Sequence, residues 1–184
     1  MLECVQLTLF RISITVANPR RPLRLNVGFL IKSPIGTSRD FNFNYEKMRL
    51  GDDLTLHDFT AMARFDRTPQ GLVLQSDFSG RLQLDCVRCL EPFVQDLKST
   101  LTELYAFDKR HVTESNLLVP EDGQIDLEPL LREYALLEIP INPSCKPDCK
   151  GLCPVCGENL NKTDCGHASA GTESPFAALR DLLQ

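Results

Sequence analysis

The spacing of the cysteines constrains this 184-residue chain more than any other feature. Seven of the eight fall in Cys86-x-x-Cys89, Cys145-x-x-x-Cys149, Cys153-Pro-Val-Cys156-Gly157 and Cys165-Gly-His167, and Cys4 stands alone. Two thiolates two to four residues apart can grip one ion across a tight turn. Gly157 permits positive φ just after its pair, which lets backbone N–H groups approach the sulfurs. With Cys4 set aside and His167 added, eight candidate ligands remain, enough for two tetrahedral ions. Thiolates with imidazole suit zinc, with an iron–sulfur cluster as the alternative. Cys86 and Cys89 alone also read as two buried thiols or as a redox dithiol. A redox pair usually opens a helix in an α/β setting, whereas this pair follows a β-patterned stretch, so metal is favoured. Four protein ligands per ion leave no open position for water, so the expected zinc is structural rather than catalytic.

The same cysteines would mean disulfides in an oxidising compartment. The start, Met1-Leu-Glu-Cys-Val-Gln-Leu, carries an early acid and no basic n-region, so a secretory signal is not expected and a cytoplasmic location is. No run reaches the ~18 apolar residues of a membrane span.

Upstream of the C-terminal cysteines the pattern is that of strands. Leu25, Val27 and Phe29 alternate with Asn26, Gly28 and Leu30; Phe41, Phe43 and Tyr45 alternate with Asn42, Asn44 and Glu46. Leu54 and Leu56, Leu72-Val-Leu-Gln, Arg81-Leu-Gln-Leu-Asp and Phe93-Val-Gln-Asp-Leu continue the series. Period-two alternation indicates strands with one buried face. Ser33-Pro-Ile-Gly36, Leu50-Gly-Asp52, Thr68-Pro-Gln-Gly71 and Ser79-Gly80 read as the turns between them. The expected fold is α+β and mainly β: a curled antiparallel sheet or partly open barrel with one core helix. Residues 108–123 are polar and read as a loop. Asp126 can cap the helix, whose stripe is Leu127, Leu130, Leu131 and Tyr134, and Pro140 should end it. Residues 168–174 read as a linker, and Ser174-Pro175 opens a short terminal helix with Phe176, Leu179 and Leu183 on one side. The expected organisation is an N-terminal extension over 1–22, a β-rich domain over 23–140, a zinc-binding segment over 141–167, and a linker with terminal helix over 168–184.

The formal net charge of −5 argues against a whole surface built to coat nucleic acid. Charge is uneven, however. Residues 1–40 carry six Lys/Arg against two acids, and residues 91–138 carry eleven acids against four bases. Arg20, Arg21 and Arg24 form a small basic cluster able to touch phosphate. No phosphate-binding glycine loop, nucleophile elbow or H-E-x-x-H motif occurs, and His57 and His111 stand alone, so no enzymatic activity is expected.

Asp85-Cys86-Val-Arg88-Cys89-Leu90-Glu91-Pro92-Phe93 resembles the C-x-R-C-L-x-P element of the YceD family, the large ribosomal RNA subunit accumulation proteins. The run from Cys145 through Cys149, Cys153 and Cys156 to Asn161 resembles the cysteine cluster of longer members, and Ser174-Pro-Phe-Ala-Ala-Leu179 resembles their closing helix. The resemblance covers residues 23–184. It implies a β-rich, barrel-like domain without enzymatic activity and a role in making or stabilising large-subunit ribosomal RNA. The partners it implies are precursor ribosomal RNA, a large-subunit ribosomal protein, or both. Arg20, Arg21, Arg24, Arg39 and Arg88 are the candidate contacts. It also implies a pairing: one zinc on Cys86, Cys89, Cys145 and Cys149, and a second on Cys153, Cys156, Cys165 and His167. Longer members often carry Cys where His167 stands. The competing arrangement is one C-terminal zinc on Cys149, Cys153, Cys156 and Cys165, with Cys86 and Cys89 free of metal. Residues 1–22 have no counterpart in the family pattern; they are expected to be poorly ordered or to pack as an added edge strand.

Overall fold

A computed structural model of the chain describes residues 21–167. Cys4, Arg20, most of the expected N-terminal extension, the linker and the terminal helix therefore lie outside the described residues. The described chain divides into two compact units, one of residues 21–82 and 95–139, the other of residues 83–94 and 140–167.

The first unit is built on a four-stranded sheet of linear order β2–β3–β4–β5, with β2 spanning Ser38–Leu50, β3 Leu54–Arg67, β4 Gly71–Asp85 and β5 Pro92–Ala106. The last residues of β4 and the first of β5 belong to the second unit. β2 pairs antiparallel with β3, from Ser38 opposite Asp66 to Leu50 opposite Leu54, and β3 pairs antiparallel with β4. The sheet does not close into a barrel. Two short strands, β1 (Arg24–Asn26) and β6 (Gln124–Asp126), form a separate antiparallel pair. Among the described residues the structure is thus mainly β, with antiparallel sheets and two helices, α1 (Gly28–Ile31) and α2 (Glu128–Glu138).

Alternation places one face of the large sheet in the core. Phe59, Ala61, Ala63 and Phe65 of β3 are buried, as are Leu72, Leu74, Ser76 and Phe78 of β4 and Leu97, Ser99, Leu101 and Tyr105 of β5. The phase changes once. In β3, Leu54 and Leu56 are buried, then His57 and Asp58 are both exposed before burial resumes at Phe59. β2 makes the matching change at Glu46 and Lys47, opposite that point. β4 stays in phase, so the extra residue appears as a bulge between His57 and Thr60 of β3, with Asp58 at φ 48°. The Asp58 carboxylate pairs with Arg81 of β4.

The helix α2 supplies Leu130, Leu131 and Ala135 to the core, with Leu127 at its N-cap also buried. Full burial of a leucine such as Leu131 contributes about 1.5–3 kcal/mol relative to exposure. Asp126, expected as the cap, stands one residue before the N-cap; its Oδ1 accepts the Glu128 N–H at the first helical residue, at 3.0 Å. The helix stops at Glu138, before Pro140, with Ile139 extended. Polar side chains of α2 reach both end strands. Arg132 donates to both Asp53 oxygens in the β2–β3 turn, at 2.9 and 2.6 Å, and Glu128 accepts the Gly51 N–H there at 3.0 Å. Tyr134 Oη donates to Glu103 of β5 at 2.6 Å, and Ser99 Oγ donates to Glu138 at 3.1 Å.

Three sequence expectations are corrected. The alternation from Leu25 to Phe29 is strand only through Asn26. Gly28–Ile31 then forms a helical turn that buries Val27 and Leu30 and leaves Phe29 half exposed. Ser79-Gly80 is not a turn but the interior of β4, where a Cβ on Gly80 would stand 3.1 Å from that of Leu56. Asp126, expected only as a helix cap, instead ends a short strand, Gln124–Asp126. Asx contacts from Asn26 and Asp122 and the approach of Gly123 to Gly28 hold it against β1.

Candidate metal centres

The second unit has little regular structure and is organised around its cysteines. Cys86-Val-Arg-Cys89 turns back on itself: the Leu90 N–H donates to Cys86 O and the Cys86 N–H donates to Glu91 O, both at 2.9 Å. Cys153-Pro-Val-Cys156 repeats this pattern. The Gly157 N–H donates to Cys153 O at 2.9 Å, and the Cys153 N–H donates to Glu158 O at 2.8 Å. The residue after each second cysteine is left-handed, Gly157 at φ 75° and Leu90 at φ 57°. Glycine takes this conformation freely, whereas a leucine is disfavoured there by about 1–2 kcal/mol. The two knuckles are therefore the same local structure, and only one of them carries the glycine that announces it in sequence.

The side chains gather into two groups of four. Cys86, Cys89, Cys145 and Cys149 form one; Cys153, Cys156, Cys165 and His167 form the other. Within each group the ligand atoms all lie within 4.8 Å of one another. This is the grouping that the family resemblance implies, and Cys149 sits with the first group rather than with Cys153. The sulfurs of Cys86 and Cys149 are 3.8 Å apart and those of Cys89 and Cys145 are 3.7 Å apart. A tetrahedron with zinc–sulfur bonds of about 2.3 Å has edges of about 3.8 Å, so the donor set and its spacing fit that ion. A disulfide needs about 2.05 Å, and these cysteines are free.

The groups differ in setting. Cys86, Cys89 and Cys149 are buried and Phe93 packs against them. In the second group Cys153 is buried, while Cys156 and His167 are exposed. Arg88, read in sequence as a partner contact, also braces the first group. Its Nη1 donates to Cys149 O at 3.1 Å and to Pro147 O at 3.4 Å. The Val87 N–H donates to Pro143 O and the Leu152 N–H to Arg88 O. Gly151, at φ 77°, leaves room for this approach, since a Cβ there would lie 3.1 Å from Arg88 O.

Thiol ionisation is divided inside each group. Burial opposes it at Cys86, but the N–H groups of Cys145, Cys89 and Arg88 outweigh burial and lower that thiol to about 6. Burial and then the neighbouring Cys149, Cys89 and Cys86 push the Cys145 thiol up to about 12. In the second group the N–H groups of Cys156 and Val155 lower Cys153 to about 6. Cys165 is raised: the His167 N–H acts to lower it, and the Cys153 thiol together with burial prevails. In the first group Cys86 and Cys149 are lowered while Cys89 and Cys145 are raised, and in the second Cys153 is lowered while Cys165 is raised, so ionising some of the thiols penalises ionising others. A divalent cation among the sulfurs removes that penalty, and binding would release protons.

The remaining sequence candidates lie in the first unit. Arg24 pairs with Asp122 at 3.0 Å, and Arg21 lies 3.9 Å from Asp126. Arg39 makes no ion pair among the described residues and lines a cleft of about 910 Å³ with Lys32, Phe29, Phe41 and Glu121. No described helix is long and apolar enough to cross a membrane. The second knuckle and the Cys-x-x-x-Cys spacing were readable in sequence. The hydrogen bonds of Arg88 were not, because a single polar residue in a loop carries no periodic signal.

Comparison with known proteins supplies the context. An uncharacterized protein of Mycobacterium tuberculosis is 28% identical over 171 residues, covering 88% of this chain and 82% of its own. A Mycobacterium leprae protein is 35% identical over 103 residues, or 54% of this chain and 47% of its own. The Arabidopsis thaliana chloroplastic large ribosomal RNA subunit accumulation protein YCED homolog 1 is 40% identical over 68 residues, covering 35% of this chain and 21% of the plant protein. No solved structure matches the chain. The family described as large ribosomal RNA subunit accumulation protein YceD matches residues 74–183, a span that takes in both cysteine groups. This chain belongs to the YceD family.

Proposed function

We propose that this protein is a non-enzymatic cytoplasmic factor for the accumulation and processing of large-subunit ribosomal RNA during ribosome assembly, with two structural zinc ions holding its second unit in shape. The observation that carries the zinc reading is the pair of four-ligand groups, one with sulfur–sulfur distances of 3.7 and 3.8 Å. Each group supplies a full tetrahedral set, which is the arrangement of a structural ion. When bound, zinc would supply folding free energy to a segment that has almost no regular structure of its own. Family membership supports the ribosomal RNA role.

Charge supports contact with a basic large-subunit ribosomal protein over broad coating of RNA. Arg21 and Arg24 are engaged by Asp126 and Asp122, and Arg88 by backbone carbonyls, which leaves Arg39 among the described arginine candidates. A group of four zinc-bound thiolates adds net negative charge. The acids between 91 and 138 offer a basic partner a surface of phosphate-like sign.

Elemental analysis of the purified chain, followed by pull-down from lysate with and without nuclease, tests the reading. Two zinc ions per chain and a large-subunit ribosomal protein retained after nuclease are expected. Iron, or no metal in a freshly reduced preparation, refutes the zinc assignment. Recovery of precursor RNA that nuclease abolishes would make the RNA contact direct.

A further inference from the structure

Asn161 lies between Cys156 and Cys165, within the segment that carries the second group, yet its side chain is turned to the first. Its Nδ2 donates to Cys149 Sγ at 3.3 Å and to Asn159 Oδ1 at 2.9 Å. Its Oδ1 accepts the Lys150 N–H at 3.0 Å, the residue directly after Cys149. That backbone donor can face only an acceptor, so it fixes which end of the amide meets the sulfur. Asn159 holds the turn, accepting the Asn161 N–H at 3.0 Å, while its own backbone carbonyl accepts from Lys162 and Thr163. One residue on, Lys162 Nζ reaches Glu91, next but one to Cys89, at 2.7 Å. The turn at 159–162 therefore grips both halves of the first group, the 86–91 knuckle and the 145–149 loop.

We propose that Asn161 is a positioning residue that couples the two metal centres, its amide donor stabilising the Cys149 thiolate of the first only when the second holds the turn in place. The inference rests on the zinc reading above. Two independent features point to it. The donor comes from outside the four ligands and addresses a ligand sulfur directly, the arrangement by which second-layer groups set metal affinity. The turn that presents it is bounded by Cys156 and Cys165, so ordering those two ligands on one ion shortens the free segment between them. Filling of the exposed second centre thereby raises the affinity of the buried first one.

Zinc and cobalt(II) release into excess chelator, read on the full chain, tests this. Metal analysis of the unaltered protein comes first: fewer than two ions per chain defeats the zinc reading itself, independently of Asn161. With two ions bound, Asn161→Asp is expected to release metal from the all-cysteine centre 10–100-fold faster. Asn161→Ala should show a smaller effect, because it removes the donor without setting a carboxylate against the sulfur. A residue that merely filled space would give the opposite order, since Asp is isosteric with Asn. In the cobalt form of Asn161→Ala the thiolate-to-metal absorption should move to lower energy, because loss of an N–H donor raises the sulfur electrons. Cys156→Ser, which cripples the second centre, should accelerate release from the first by a similar factor, and adding Asn161→Asp to it should change little more. Unchanged release and spectrum in both Asn161 variants, or full multiplication of the two effects, overturns the coupling.

Discussion

Gly71 opens β4 where the end of β5 passes against it. A Cβ at this position would lie 2.1 Å from the Tyr105 carbonyl oxygen and 2.9 Å from Ala106 Cα. Ordinary contact begins near 3.4 Å, so accommodating alanine demands about an ångström of retreat by the β5 backbone. Side chains cannot absorb it, because the obstruction is main chain. Tyr105 and Ala106 are themselves buried, and the Tyr105 ring packs 6.2 Å from that of Phe65. Two effects of Gly71→Ala compete. Alanine restricts the unfolded chain and would stabilise by about 0.4–1 kcal/mol where the native backbone accepts it, and Gly71 is outside the left-handed region. Overpacking against a fixed backbone costs about 1–3 kcal/mol, and more when strands must part. The net expectation is destabilisation of about 2 kcal/mol. With a urea slope of about 1–3 kcal/mol per molar, the midpoint should fall by roughly 1 M. Metal content should be unaffected, since the ligands belong to the other unit. A midpoint equal to or above that of the unaltered protein would refute the steric argument and show that β5 yields freely at Tyr105.

Ser76 Oγ is buried on β4 without a hydrogen-bond partner, so Ser76→Ala should raise the urea midpoint, by about 1 kcal/mol of stability. Arg88→Ala should hasten chelator-driven metal loss from the first group while leaving two ions per chain at equilibrium, because it removes a brace and no ligand. His167→Cys should retain the second ion and His167→Ala should weaken its binding, as measured by metal-to-protein ratio after dialysis. The Tyr134 hydroxyl is pushed up to about 12 by its hydrogen bond to Glu103 and by burial. An unfolded tyrosine ionises near 10, so this contribution is full below pH 10 and is lost between pH 10 and 12. Across that window the stability of Tyr134→Phe should fall less steeply than that of the unaltered chain, as read by urea midpoints.

The sequence disclosed what periodicity and spacing encode. Phe41, Phe43 and Tyr45, Leu54 and Leu56, and Leu72 and Leu74 lie on strands, and the Leu127–Leu131 stripe lies on a helix that ends before Pro140. Strand length was not legible. Ser79-Gly80 looks like a break, yet β4 runs on through it, because Gly80 answers a close approach by Leu56 rather than a reversal of the chain. Val27 is buried by a helical turn as well as it would be by a strand, so the alternation from Leu25 to Phe29 misled. The metal ligands stood out through their spacing. The residues that brace them did not, since Arg88 resembles any exposed arginine until its carbonyl partners are known.

The phase change in the sheet carries a consequence for how this protein can vary. β2 and β3 each change phase once, at Glu46-Lys47 and at His57-Asp58, and the two changes face each other while β4 does not follow. Removing Asp58 alone would give β3 an unbroken alternation in step with β4, but would leave β2 with one residue too many at Glu46-Lys47, so that Phe43 and the pair Met48 and Leu50 could not all stay in register on the buried face. A deletion in β2 at the matching position would restore agreement between those two strands. Viable length changes in this hairpin should therefore come in facing pairs.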